Sequence, residues 1–183
     1  PVIRAAIEDR EAVNAAHESF LACAEGVLER YRELFGEADV TVVFYLGLCS
    51  GAGWVTTLRG GRHILLGAEK IVELHWESPE KMFPLLAHEL GHVAQFDLRE
   101  GWRERYDDVN ERSVHQLFTE GFAECVSTLL GPYPNSRGEE WESWCGEHLR
   151  EIKGEFLRFL ARRRRRSPSS GTGRKSSGTA TSG

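Results

Sequence analysis

The chain has 183 residues, of which 40% are hydrophobic, and its 28 acidic residues against 23 basic ones give a net charge of −5. This length is typical of one globular domain with a full core. No apolar run approaches the roughly 18–20 residues that span a bilayer, so we expect no membrane span. Charge is unevenly distributed, because residues 162–183 hold seven basic and no acidic residues, which leaves 16 basic against 28 acidic in residues 1–161. We therefore predict a folded domain over 1–161, with a net charge of −12, and a separate basic tail over 162–183.

The beginning of the chain and its cysteines indicate a compartment. The start, PVIR, leads into a charged helical pattern, unlike the basic and then apolar regions of a secretory signal. The four cysteines, Cys23, Cys49, Cys125 and Cys145, are widely spaced and form no C-x-x-C pair. This argues against both a zinc ribbon and a disulfide-rich secreted scaffold. We expect a cytoplasmic protein with free thiols.

The first half of the chain predicts one helix followed by a small sheet over roughly residues 40–72. Apolar residues recur every three or four positions from Val13 to Leu34, which indicates an amphipathic helix that ends at Gly36. The run DVTVVFYLGL, residues 39–48, is rich in β-branched and aromatic residues and predicts an interior strand. Residues 54–58 and 62–67 predict two further strands joined as a hairpin.

The second half of the chain predicts three helices, so the expected fold class is α+β. Ser78-Pro79-Glu80 is typical of a helix start. Apolar residues from Val114 to Leu129 predict a second helix, which Gly131 and the prolines after it end. A last helix is predicted over about residues 139–162, and its Trp141 and Trp144 are expected to supply core area. The Ser- and Gly-rich residues from 167 onward favour disorder.

One motif on the first of these helices is typical of a metal site. His88-Glu89-Leu90-Gly91-His92 is an H-E-x-x-H sequence. Residues four apart on a helix share a face, so both imidazoles point the same way and can bind one Zn²⁺. The intervening Glu89 would then lie beside the metal as the base for its bound water. This chemistry serves the hydrolysis of an acyl compound, usually a peptide.

A third ligand is needed, because catalytic zinc has three protein ligands and an open position for water. The next helix offers Glu120 and Glu124, again four residues apart and on one face. Gly121 and Ala123 between them are small, which predicts a close approach of the two helices. Neighbouring Phe118, Phe122 and Val126 suggest that these carboxylates are buried, and a metal or a histidine would compensate their charge.

These motifs resemble a known family. HELGH followed by EGFAE is similar to the gluzincins, the zinc peptidases of the thermolysin and alanyl-aminopeptidase type. LLAHELGHVAQ and LFTEGFAECVSTLLGPYP also resemble a group of small predicted zinc-dependent proteases with HE-x-x-HV-x-Q and EGLA-x-YVS motifs. The resemblance covers roughly residues 64–134 and implies a zincin-like fold: a small twisted sheet, an active-site helix, a ligand helix and flanking helices.

The same resemblance implies roles for individual residues. Zn²⁺ would be held by His88, His92 and Glu120, and Glu124 would accept the other N–H of a ligating histidine. Strand 62–67 would be the sheet edge that pairs with an extended substrate, and the alternative is a hairpin edge with a structural role only. The aminopeptidase motif G-x-M-E-N has no counterpart here, since the nearest string is Gly67-Ala68-Glu69-Lys70. Endopeptidase and exopeptidase action therefore both stay open.

The sequence thus predicts a zinc-dependent peptide-bond hydrolase that acts on a peptide or protein substrate. The alternative is a non-catalytic zinc-binding module on the same scaffold, whose basic tail contacts nucleic acid or a protein partner. Substrate preference and oligomeric state are left open. So is the side chain that stabilises the transition-state oxyanion, for which the candidates are Tyr106, His115, Tyr133 and His148.

Overall fold

Two helices precede the sheet, α1 over Val2–Glu8 and α2 over Arg10–Phe35. Asp9 caps α2, because its side chain accepts a hydrogen bond from the backbone N–H of Ala12. The helix ends at Gly36 as expected, with a φ of +85° that glycine adopts without strain. The structure, a computed structural model, describes residues 2–47, 51–98, 108–133 and 139–164.

In the described residues the sheet has three strands, β1 over Thr41–Tyr45, β2 over Gly53–Leu58 and β3 over Gly61–Gly67. Their order is β1-β3-β2, with β3 parallel to β1 and antiparallel to β2. The predicted hairpin is confirmed as β2–β3, and Arg59 and Gly60 both have positive φ at its turn.

Three expectations for the sheet are wrong. Among the described strands, the one within residues 39–48 is an edge strand and not an interior one, and the one within residues 62–67 is the central strand and not an edge. The sheet also ends at Gly67, because residues 68–73 form the short helix α3. A strand's own residues report its β propensity, whereas its place in the sheet is decided by pairing with distant segments.

Three longer helices complete the fold, α4 over Pro79–Leu98, α5 over Val109–Leu130 and α6 over Glu139–Arg164. α4 packs against α2, α5 and β2. Its apolar face therefore joins the sheet and α2 in one core, whose most deeply buried side chains include Tyr31, Ile64, Leu66, Ile71, Met82, Leu86, Leu90 and Val93. The α+β class is confirmed, as a mostly helical fold around a small mixed sheet.

The last helix is more exposed than its sequence predicts. Trp141 and Trp144 are 42% and 50% exposed, so the expectation that they supply core area is wrong. Helical periodicity identified an apolar face, but α6 contacts only α5 to any extent in the described part of the chain, which leaves most of that face uncovered. The helix continues to Arg164, and the rest of the predicted disordered tail lies outside the described residues.

Two simpler expectations concern thiols and membranes. Cys23, Cys125 and Cys145 are all free thiols, and Cys49 lies outside the described residues. In the ranges that the structure describes, every helix is too short or too polar to cross a membrane.

Helices α4 and α5 touch through their backbones at Gly91. A Cβ atom added there would lie 2.7 Å from the Cα of Ala123 and 2.9 Å from its carbonyl oxygen. We expect Gly91→Ala to force the helices apart and to lower the free energy of unfolding by about 1–3 kcal/mol, as overpacking does. Chemical denaturation measures this.

Gly121 provides the matched control, because it lies within α5 and nothing stands within 4 Å of an added Cβ. Gly121→Ala should stabilise the protein by up to about 1 kcal/mol through helix propensity alone. Equal effects of the two substitutions would contradict the close contact. Gly121 also corrects the sequence prediction, since Gly91 and Ala123, and not Gly121, permit the close approach.

Candidate metal and catalytic site

One face of α4 presents the two histidines of the H-E-x-x-H sequence. The His88 and His92 rings lie 4.8 Å apart, centroid to centroid, and are nearly perpendicular at 88°. Their side chains are 20% and 12% exposed, so both line a recess and remain accessible from it. The helical spacing therefore brings the two imidazoles together as the sequence predicts.

Helix α5 adds a carboxylate to this pair. Glu120 Oε2 lies 3.3 Å from His88 Nε2 and 3.8 Å from His92 Nε2. One ligand atom from each of the three residues lies within 4.8 Å of the others. Ligand atoms about 2.0–2.2 Å from a tetrahedral Zn²⁺ are separated by about 3.4 Å, which is close to the first of these distances. The three side chains could thus hold one metal ion after small rotations.

Glu124 approaches His88 from the other side of its ring. Its Oε1 lies 3.7 Å from His88 Nδ1, whereas Glu120 faces Nε2. The two carboxylates therefore face different nitrogens of the His88 ring. Their predicted burial is wrong, since Glu120 is 50% and Glu124 40% exposed. Phe118, expected to cover them, is itself 51% exposed.

Glu89 is the buried member of the group. Its residue is only 4% exposed, and Oε2 has no hydrogen-bond partner among the described residues. Burial, with a smaller contribution from the charge of Glu120, raises the pKa of Glu89 to about 8. Without a nearby cation this carboxyl group stays protonated at neutral pH, and a divalent cation between His88 and Glu120 would supply the positive charge that lets it ionise. This orphaned carboxyl group is an independent reason to place a metal here.

His92 has the protonation state that metal binding needs. Burial, followed by the proximity of His88, lowers the pKa of His92 to about 4. The imidazole is therefore neutral near pH 7 and keeps a lone pair for a metal.

Strand β2 passes directly over Glu89. A Cβ at Gly53 would lie 2.6 Å from Glu89 Oε1, so only glycine fits there without displacing the carboxyl group. From the sequence alone, Gly53 has no predicted role at the site. The signal that was present is a glycine immediately before a β-branched and aromatic strand, which often marks a close approach.

The outer edge of β2 faces the recess. The N–H of Gly67 donates to the carbonyl of Ala52 at 2.9 Å, which fixes the phase of the β2–β3 hydrogen bonds. Antiparallel strands alternate bonded and outward residues, so Gly53 and Val55 direct their backbone N–H and C=O groups away from β3. No other described strand pairs with this edge.

Two cavities meet at the site, and Gly53, His88 and Glu89 line both of them. The Trp76 cavity has a volume of about 280 Å³, and the Phe96 cavity one of about 350 Å³. The former is also lined by Leu74, Trp76, Lys81 and Leu85, and the latter by Trp54, Val55, Phe96 and Thr119. None of these eight residues was singled out from sequence. Lys81 could have been, since it precedes His88 by two helical turns on the same face.

The described candidates for oxyanion stabilisation lie away from the two cavities. His115, Tyr133 and His148 are described, and none of them lines either cavity. Tyr133 packs edge-on against Phe83, and the His148 ring stacks on Trp144. Tyr106 lies outside the described residues.

Comparisons of this chain with protein-family models, with curated proteins and with solved structures find no match.

Proposed function

We propose that this chain is a zinc-dependent peptide-bond hydrolase with a zincin-like arrangement. His88, His92 and Glu120 would hold the metal, and Glu89 would be the general base. The observation that carries the proposal is the buried, uncompensated carboxyl group of Glu89 beside three converging ligand atoms. A structural histidine pair would have no need of a carboxyl group buried against it.

Bound Zn²⁺ would lower the pKa of water toward about 7 and polarise the scissile carbonyl. The protein contributes a neutral His92, and Glu120 supplies a negative charge that offsets part of the cation's charge. Glu124 Oε1 lies 3.7 Å from His88 Nδ1, and after a small movement it would accept a hydrogen bond from that nitrogen and so direct Nε2 toward the metal.

Glu89 would move the proton in this reaction. With a dication nearby its carboxyl group ionises, and it can take a proton from the attacking water and deliver it to the departing amine nitrogen. Its burial under Gly53 keeps competing bulk water from solvating the carboxylate.

The outer edge of β2, with which no described strand pairs, supports a peptide as the substrate. Gly53 and Val55 offer backbone donors and acceptors beside Glu89, which can continue the sheet with an extended peptide. This edge replaces the strand within residues 62–67, to which sequence resemblance assigned the same role. A cavity on either side of Glu89 gives room for side chains before and after the cleaved bond.

Metal analysis combined with digestion of a peptide library tests the proposal. We expect about one zinc per chain, and hydrolysis that stops with a chelator and returns with added zinc. His88→Ala should lose both metal and activity. His17→Ala, which removes an exposed imidazole from α2, should lose neither. Wild-type protein that binds no metal, or that cleaves peptides equally well with chelator, would refute the proposal.

A further inference from the structure

The Trp76 cavity contains one cation that the proposed chemistry does not use. Lys81 lies on α4 seven residues before His88, so the two share a face and are separated by about 10 Å along the helix axis. Among the described residues that line either cavity, Lys81 is the only Lys or Arg. The cavity therefore has the proposed metal site at one end, and Lys81 is attached to α4 about two helical turns away.

Lys81 is also unusual in having no partner within the described residues. Other partly exposed cations on neighbouring elements are paired, such as Arg62 with Asp97 and Lys70 with Glu73. Lys81 has no acidic partner among the described residues, although residues 1–161 hold far more acidic than basic residues. An unpaired ammonium in a cavity is available to a ligand.

The cavity walls strengthen the attraction for an anion. Leu74, Trp76 and Leu85 are apolar, and apolar walls lower the local dielectric around the Lys81 ammonium. Glu124 and Glu89 stand with His88 in the same cavity and would repel an anion that entered in the opposite direction. The charge pattern thus orients a ligand along α4.

We propose that the Trp76 cavity recognises a carboxylate of the peptide substrate, which Lys81 binds while the scissile carbonyl lies at the metal site. This inference rests on the proposed function, because it takes the metal site as its other anchor. An extended peptide advances about 3.3 Å per residue, so about 10 Å corresponds to two or three residues. The carboxylate would come from an acidic side chain at that distance or from the C-terminus of a short peptide.

Binding of a metal-anchored probe tests this without requiring catalysis. The probes are four hydroxamate-capped dipeptides, Leu-Glu and Leu-Gln, each with a C-terminal carboxylate or amide, titrated calorimetrically into the zinc-loaded full chain. We expect probes with the recognised carboxylate to bind about tenfold or more tightly than the neutral probe. Comparing the two singly charged probes shows whether the side chain or the C-terminus supplies it.

Variants of Lys81 then test whether this side chain causes the preference for carboxylate probes. Lys81→Met should abolish it, Lys81→Arg should retain it, and Lys153→Met, which removes an exposed charge from α6, should leave it intact. Zinc content and thermal melting of each variant establish that it is folded. Equal binding of all four probes, or an unchanged preference in Lys81→Met, overturns the inference.

Failure of the proposed function gives a different result. A carboxylate preference that depends on Lys81, in a zinc-loaded protein that cleaves no peptide, supports the inference and overturns the hydrolase. Metal-dependent binding without a carboxylate preference, in a protein that hydrolyses peptides, supports the hydrolase and overturns the inference about Lys81. Absence of any metal-dependent binding overturns both.

Discussion

Glu89→Gln is expected to keep zinc and to lose about 10²–10⁴-fold in kcat/KM, the range that a positioned general base supplies. The amide has nearly the same size as the carboxyl group, which matters because Gly53 leaves no spare room above Oε1. It cannot accept the proton of the attacking water. Metal analysis and steady-state kinetics on the same preparation measure the two effects separately.

Glu151→Gln is the control for this substitution, since it changes an exposed glutamate on α6 in the same way. It should leave both zinc content and kcat/KM unaltered. Hydrolysis by Glu89→Gln at the wild-type rate would remove the catalytic assignment while leaving the metal site standing. Loss of zinc from this variant would show instead that Glu89 is needed to assemble the site.

In the metal-free protein, Glu89 should make the free energy of unfolding fall as pH rises. In the unfolded chain Glu89 ionises near pH 4.3, whereas in the folded chain its pKa is about 8. Below pH 4 both states are protonated and Glu89 contributes no cost. Between these values only the unfolded chain releases the proton, so unfolding becomes progressively more favourable, by about 5 kcal/mol when pH 8 is reached.

Denaturant unfolding of chelated wild type and Glu89→Gln from pH 5 to pH 8.5 measures this effect. The variant should resemble wild type near pH 5 and exceed it by several kcal/mol near pH 8. Comparing the two proteins removes most contributions of other groups, including His92, whose low pKa costs stability as pH falls from about 6.5 toward 4. A pH-independent difference would contradict the buried state of Glu89. Added zinc should abolish the dependence, because the cation stabilises the ionised carboxylate.

The sequence predicts most of the site because its key residues are related by local helical geometry. His88 and His92 are brought together by the four-residue spacing, and Glu120 and Glu124 by the same spacing on another helix. That these two helices face each other was supplied by the family resemblance and by the small residues near the motifs. Gly91 proved to be the position of contact, and it stands inside the motif itself.

The errors concern relations between segments that are distant in sequence. The run around Val42 and Phe44 has the composition of a central strand, yet β3 takes that place because it pairs with strands on both sides. The apolar face that includes Trp144 is correctly helical, but periodicity does not say what covers it. Lys81 escaped attention because an isolated lysine has no pattern, and it acquires meaning only from the cavity around it.

The backbone contact at Gly91 gives the site a mechanical property. His88 and His92 belong to α4 and Glu120 to α5, and the two helices meet at Gly91 without intervening side chains. An ion shared by the three residues would act as a removable cross-link between two halves of the core, closing the chain between residues 92 and 120. Amide exchange along both helices should therefore slow together when metal is added. The exchange rate of α4 and α5 would then report the fraction of chains whose metal site is filled.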